Sequence, residues 1–110
     1  MTKEHFLEKH IYIGLTDLNT GFDSSQIKYF NDEDFSIIIK RVKEYGIGIY
    51  GIEPWDMDNH YYDTKVHEEY SKEPSNPDWF EAAFSSFMNR GEKLKYSASY
   101  YIPKEILENN

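Results

Sequence analysis

Between Asn31 and Ile52 the hydrophobic period of the chain changes once, and that change fixes the centre of the fold. Phe35, Ile38, Ile39 and Val42 recur at the i, i+3, i+4, i+7 spacing of one helical face. Asn31 and Asp32 offer N-caps, Asp32, Glu33 and Asp34 suit the positive end of the helix dipole, and Lys40, Arg41 and Lys43 suit the other end. Gly46 stands where a helix commonly ends in a left-handed residue. Directly after it, Ile47-Gly48-Ile49-Tyr50-Gly51-Ile52 is short, β-branched and apolar on both faces, as a strand covered on both sides must be. Its glycines weaken the strand but let a helix or another backbone approach closely.

The same pair of signals returns further on. Asn76 can cap a helix with Pro77 at its first position, Phe80, Ala83, Phe84, Phe87 and Met88 form its apolar face, and Gly91 follows Arg90 at its end. Leu94, Tyr96, Ala98, Tyr100 and Ile102 then alternate with Lys95, Ser97, Ser99 and Tyr101, the period of a half-buried strand. Pro103 stops it, and the tail reads as one helical turn. Ile11–Leu15 reads as an N-terminal strand ended by the turn-rich run from Asp17 to Gly21, with Ser25–Phe30 a candidate second one. From Pro54 to Ser75 there is no clean period, although Tyr61–His67 is a candidate edge strand. Trp55, Tyr61, Tyr62 and Tyr70 argue against disorder there, and a stretch of that length without regular structure points to function. The expectation is one α+β domain over 1–110: a small mixed β-sheet centred on 47–52 and 94–102, with two main helices packed against it.

Composition removes whole classes of function. With no cysteine among 110 residues there is no disulfide framework, thiolate metal site or thiol chemistry. No run approaches the roughly 18 apolar residues of a membrane span, and Met1–Lys9 does not read as a signal peptide. By elimination these readings point to the cytoplasm, with no membrane partner. A net charge of −8 disfavours direct nucleic-acid binding, because phosphates would be repelled. The charge is also concentrated. Residues 53–78 hold eight acids (Glu53, Asp56, Asp58, Asp63, Glu68, Glu69, Glu73, Asp78) against Lys65 and Lys72, so −6 of the −8 lies there.

Three chemistries compete for that segment. Asp56, Asp58, His60 and Asp63, with His67 and Glu68 nearby, offer oxygen and imidazole ligands at alternate positions. A calcium loop counted from Asp56 needs glycine where Tyr61 stands and a carboxylate where His67 stands, so that template fails and a solvated acidic loop is favoured. His60 or His67 could do acid–base work with Asp63 or Glu69, but no nucleophile elbow or HExxH accompanies them. Gly46-x-Gly48-x-x-Gly51 matches a dinucleotide-binding string, yet lies along a strand rather than between strand and helix. No catalytic residue, metal or cofactor is therefore expected. The preferred reading is a recognition surface for a basic partner, made by Glu53, Trp55, Asp56, Asp58, Tyr61, Tyr62, Asp63, Glu68, Glu69 and Tyr70. Carboxylates pair with Lys and Arg while interleaved rings add desolvated area and cation–π contacts. A carboxylate row with stacking rings also imitates single-stranded nucleic acid, whose phosphates alternate with flat bases.

The run Lys43-Glu44-Tyr45-Gly46-Ile47-Gly48-Ile49-Tyr50-Gly51-Ile52-Glu53, after an amphipathic helix and before an aromatic, acidic insert, resembles the immunity proteins of tRNA-cleaving colicins. More broadly it is similar to immunity proteins of bacterial contact-dependent and polymorphic toxin systems. The resemblance runs on through Tyr61, Tyr62 and Asp63, the helix of 76–90 and the strand of 94–102. It takes 32–102 as the family-like core and 1–31 as an N-terminal extension. It implies an antitoxin that occludes the active cleft of a cognate basic ribonuclease by imitating its substrate. Glu53 stands at the acidic residue ending the central strand, with the inhibitory region after it. The alternatives are an acidic adaptor for another basic protein or peptide and a small metal-dependent hydrolase.

Overall fold

A computed structural model describes residues 1–62, 65–66 and 73–109. Its elements are helix α1 (Lys3–Phe6) continuing into a π-helical turn (Leu7–Ile11), strand β1 (Phe30–Asn31), helix α2 (Asp32–Tyr45), strand β2 (Gly48–Asp56), strand β3 (Lys65–Val66), helix α3 (Pro77–Met88), strand β4 (Leu94–Tyr101) and helix α4 (Lys104–Glu108). The sheet order is β1-β4-β2-β3 and every pairing is antiparallel. The fold is the expected small α+β, but the sheet is not mixed. The segment bearing β3 brings the chain back to the start of β2, and α3 then carries it to the far end, so β4 must run against β2.

Both long helices begin and end as the sequence dictates. The Asn31 side chain accepts from the Asp34 amide at 2.8 Å, and Gly46 closes α2 in the left-handed conformation at φ 70°. Asn76 accepts from the Asp78 amide at 3.0 Å. Phe35, Ile38, Ile39 and Val42 of α2 join Phe80, Ala83, Phe84 and Phe87 of α3 in one core with Ile47, Ile49, Ile52, Leu94, Tyr96 and Tyr100.

Gly48 is held by sterics. A Cβ there would stand 2.6 Å from the backbone carbonyl carbon and oxygen of Pro74 and 2.8 Å from the Ser75 nitrogen. The approach is used: Ile49 N donates to Pro74 O at 3.0 Å, and Trp79 Nε1 donates to Ile49 O at 3.1 Å. The ladder slips by one residue between Ile49 and Gly51, placing Tyr50 in a bulge.

Two expectations fail in instructive ways. Ile11–Leu15 is not a strand. Thr2 caps α1 by accepting from His5 N at 3.1 Å, Phe6, Leu7 and Ile11 point into the core, and Tyr12 N bonds back to Leu7 O at 2.7 Å. Arg41 then claims the carbonyls that a strand would need, donating to Ile11 O at 2.8 Å and Ile13 O at 2.7 Å. Residues 25–30 form no second strand beyond Phe30, because Asn19 Nδ2 takes the Ser24 and Ile27 carbonyls, each at 2.8 Å. The segment 1–31 nevertheless gives Phe6, Leu7, Ile11 and Phe30 to the same core as the rest.

The central strand is longer than its apolar run and passes through Pro54 to Asp56. Pro54 pairs with Tyr96, and its carbonyl accepts from Tyr62 N at 3.1 Å on the side away from β4. N–H and C=O of one strand residue point the same way, so the missing proline donor costs the β4 ladder nothing. The edge strand of 61–67 shortens to Lys65–Val66 opposite Ile52 and Gly51, with a separate Trp55–Tyr61 bridge, and His67 lies outside the described residues. Among the described residues no helix is long and apolar enough to cross a membrane.

Two outcomes check this packing. Gly48→Ala should destabilise by about 1–3 kcal/mol through overpacking against fixed backbone, and Phe87→Ala by about 3–5 kcal/mol through the cavity it opens, both read by urea denaturation. Alkali tests the core tyrosines. Burial pushes the Tyr12 phenol up to about 12, raises Tyr29 and Tyr96 further, and raises Tyr100 well above the ordinary phenol value. A raised folded value stabilises below the ordinary phenol value of 10.0 and is lost as pH climbs through the folded one. Lys95, lowered by burial, has the opposite sign but is one group against four. Phenolate absorbance should therefore rise in two stages, accessible tyrosines first and then a jump with global unfolding. A single smooth titration would show that these four are not held by the fold.

Candidate functional site

The acidic run after Ile52 begins as β2, turns sharply and comes back. Asp56 N donates to His60 O at 2.9 Å and Asn59 N to Asp56 O at 3.1 Å, closing a three-residue hairpin loop. Asn59 adopts φ 71°, the left-handed step such a loop requires and one that asparagine tolerates. Asp56 holds the turn from inside: its Oδ1 accepts from Asp58 N at 2.9 Å and His60 N at 3.0 Å. The bond from the His60 amide, then that from Asp58, holds the carboxyl below its ordinary range, helped by the imidazole 3.5 Å from Oδ2. Asp56 is thus a turn-former first and an acidic surface group second.

Beneath the turn lies Lys95 of β4, only 4 % exposed. Its ammonium donates to Asn59 Oδ1 and stands 4.0 Å from the centre of the Phe22 ring. Burial lowers its pKa, and Asp56 and Asp58 oppose that shift. Alternation along β4 puts Lys95 on the face opposite the helices, and simple half-burial would leave it in water. The loop of 17–29 covers this end of that face instead. Asp17 Oδ1 accepts from Tyr29 N at 3.0 Å, and Tyr29 Oη donates to Asp23 Oδ2 at 2.6 Å. Phe22 packs on Trp55 at 5.1 Å and on Tyr29 at 4.8 Å between ring centroids.

The structure divides the ten expected surface residues. Glu53 is exposed on the non-helical face, where it pairs with Ser97 across the ladder, and it lies inside β2 rather than ending it. Trp55, two residues on, is half-buried beneath Tyr61, with centroids 6.0 Å apart and planes at 89°. Its indole Nε1 is buried with no hydrogen-bond acceptor among the described residues. Asp58, His60 and Tyr61 are exposed around the turn, and Met57 beside them is 44 % exposed. Tyr62 belongs elsewhere: its ring packs toward the helical core under the Arg90 guanidinium, 5.2 Å from the centroid. Asp63, Glu68, Glu69 and Tyr70 lie outside the described residues.

Lys95, Phe22 and Asn59 were not legible as site residues. Asn59 alone carried a local signal, as an asparagine in a turn-rich acidic stretch. Of the glycine string, Gly46 is a helix terminus and Gly48 a close contact, which leaves no phosphate cradle. Among the described residues no three His, Asp or Glu side chains assemble in a way that could hold a metal ion. What the arrangement can do chemically is present fixed carboxylates and a ring to a cationic, donor-rich surface. Comparison with protein-family models, with characterised proteins and with solved structures gives no match.

The turn's dependence on Asp56 is testable. Asp56→Ala should speed amide exchange at Asp58 and His60, whereas Asp56→Asn, which keeps an acceptor oxygen, should preserve their protection. A depressed carboxyl stabilises above the ordinary aspartate value of 3.8 and loses that effect as pH falls through the folded value. Exchange protection at these amides should accordingly weaken on acidification below about pH 4, and equal protection in the alanine variant at neutral pH would assign the turn to other forces.

Proposed function

We propose that this protein is an immunity protein: a binding module that neutralises a basic nuclease toxin by occluding its active cleft. The observation that carries the reading is the pre-formed turn. Asp58, His60, Tyr61 and Met57 are exposed around a backbone already fixed by Asp56 and by the Asn59–Lys95 contact. Such a surface loses little conformational entropy on docking, so more of its contact energy appears as affinity. Carboxylates beside exposed rings suit a cleft built to receive phosphates and bases. Glu53, Asp58 and Tyr61 would be the principal contacts, with Trp55 supporting Tyr61 from below. The sequence resemblance points the same way. The same surface would also serve an adaptor for another basic protein, and only immunity requires the native partner to be toxic.

An alanine scan against the partner that co-purifies from the native cell tests this. Glu53, Asp58 and Tyr61 should each cost about 2 kcal/mol or more, with most neighbours near neutral. Asp58→Lys should be worse than alanine, because it sets like charge against a basic cleft. The association rate should fall as salt rises. Protection of cells expressing the toxin should be lost with circular dichroism native. A flat scan over 53–62, or an on-rate indifferent to salt, would place the interface elsewhere.

A further inference from the structure

On the non-helical face of the sheet, between β2 and the 17–29 loop, a groove of about 220 Å³ opens, lined by Ile27, Gly51, Glu53, Ser97, Ala98 and Ser99. It is smaller than the roughly 300 Å³ at which small-molecule pockets begin, and suits one long side chain. Its floor is low because the ladder sets Gly51 opposite Ser99, and among the described residues its only charged lining group is Glu53, opposite Ser97.

The polar side chains of the lining are one carboxylate, Glu53, and the hydroxyls of Ser97 and Ser99, with Ser97 only 5 % exposed. A carboxylate accepts only, and a serine hydroxyl can accept beside it. A groove whose charged group is a carboxylate flanked by hydroxyls suits a multiple donor of positive charge. Its apolar wall, Ile27, suits the methylene stem of such a group.

We propose that this groove is a subsite for a single arginine side chain of the protein partner, its guanidinium paired with Glu53 and donating to Ser97, its stem along Ile27. Arginine fits better than lysine because its planar fork serves several acceptors at once and pairs side-on with a carboxylate. The proposal rests on the reading of this face as the docking surface, and it moves the specific contact from the turn to the open sheet about β2 and β4. The exposed turn then contributes attraction and ring contact, and the groove contributes the choice of residue.

Three blocked tripeptides, glycine–X–glycine with X arginine, lysine or the uncharged isostere citrulline, can be titrated into the whole protein while its amide resonances are followed. The arginine peptide should give saturable shifts at Gly51, Ser97 and Ser99, the lysine peptide weaker ones, and citrulline none. E53Q should weaken the arginine response by about tenfold or more, the loss expected for one charge-assisted pair, with an otherwise unchanged spectrum certifying the fold. S97A, which removes the acceptor and keeps the charge, should weaken it less. Arginine shifts that survive E53Q, or that citrulline reproduces, or no shifts at these residues, would overturn the subsite. If shifts then appear only at Asp58 and His60, the acidic turn still binds cations and the wider reading stands. If none appear anywhere, both fall.

Discussion

Tyr96 is the residue on which the rest of the structure converges. Its backbone pairs with Phe30 on one side and Pro54 on the other, so it joins three strands at one level. Its ring stacks on Phe35 of α2 at 5.1 Å and meets Phe84 of α3 edge-on at 5.1 Å, with Phe87 at 6.2 Å. Sheet and both helices are therefore referenced to one side chain. Its phenol end faces Asp32 at the start of α2, and burial first, then that carboxylate, pushes its pKa far up. A neutral hydroxyl beside a carboxylate is tolerable here, and a phenolate would not be. The same level of the sheet holds Lys95 and Trp55 on the opposite face, so the core that positions the helices also positions the base of the acidic turn.

That opposite face explains how a carboxylate-rich hairpin is held in one shape. Like charges along a loop repel, and a buried lysine alone would be costly. Together they offset each other: Lys95 is drained of hydration by burial, and Asp56 and Asp58 restore part of its preference for charge. Phe22 adds a ring face to the ammonium, and Asn59 converts the contact into a fixed turn geometry. The loop of 17–29 makes this possible by covering one end of the sheet, and its Ile27 borders the groove beside Glu53.

How much of this could be read from the sequence follows the range of the forces. α2 and α3 were legible to within a residue or two because caps, dipole charges and 3.6-residue periodicity are all local. β2 was read short because Pro54 looks like a stop, and only the sheet order shows that its missing donor faces away from β4. The run Ile11-Tyr12-Ile13 has strand composition, but Arg41, 28 residues beyond Ile13, decides its fate. Of the site, Glu53, Asp58 and Tyr61 were legible as exposed acidic and aromatic groups. Tyr62 was not separable from Tyr61, since adjacent residues fall on opposite faces and nothing local says which face is wet. Lys95 looked like the polar half of an alternating strand, because its burial depends on a loop some 70 residues away in sequence.

The distribution of charge brings these points together. A segment holding −6 of the chain's −8 resists compaction, and the fold answers it in the described part of that segment with one buried cation rather than a network of surface pairs. Stability alone would be better served by a neutral residue at Glu53, whose ladder partner is an uncharged serine. Asp56 shapes the turn and Asp58 helps offset the buried charge of Lys95, whereas Glu53 has no such use among the described residues. On the proposed reading its use lies in a cationic partner, and the two exposed acids divide the task between them: Asp58, at the tip, acts at a distance and governs encounter, while Glu53, beside the groove, acts at contact and governs which residue is held.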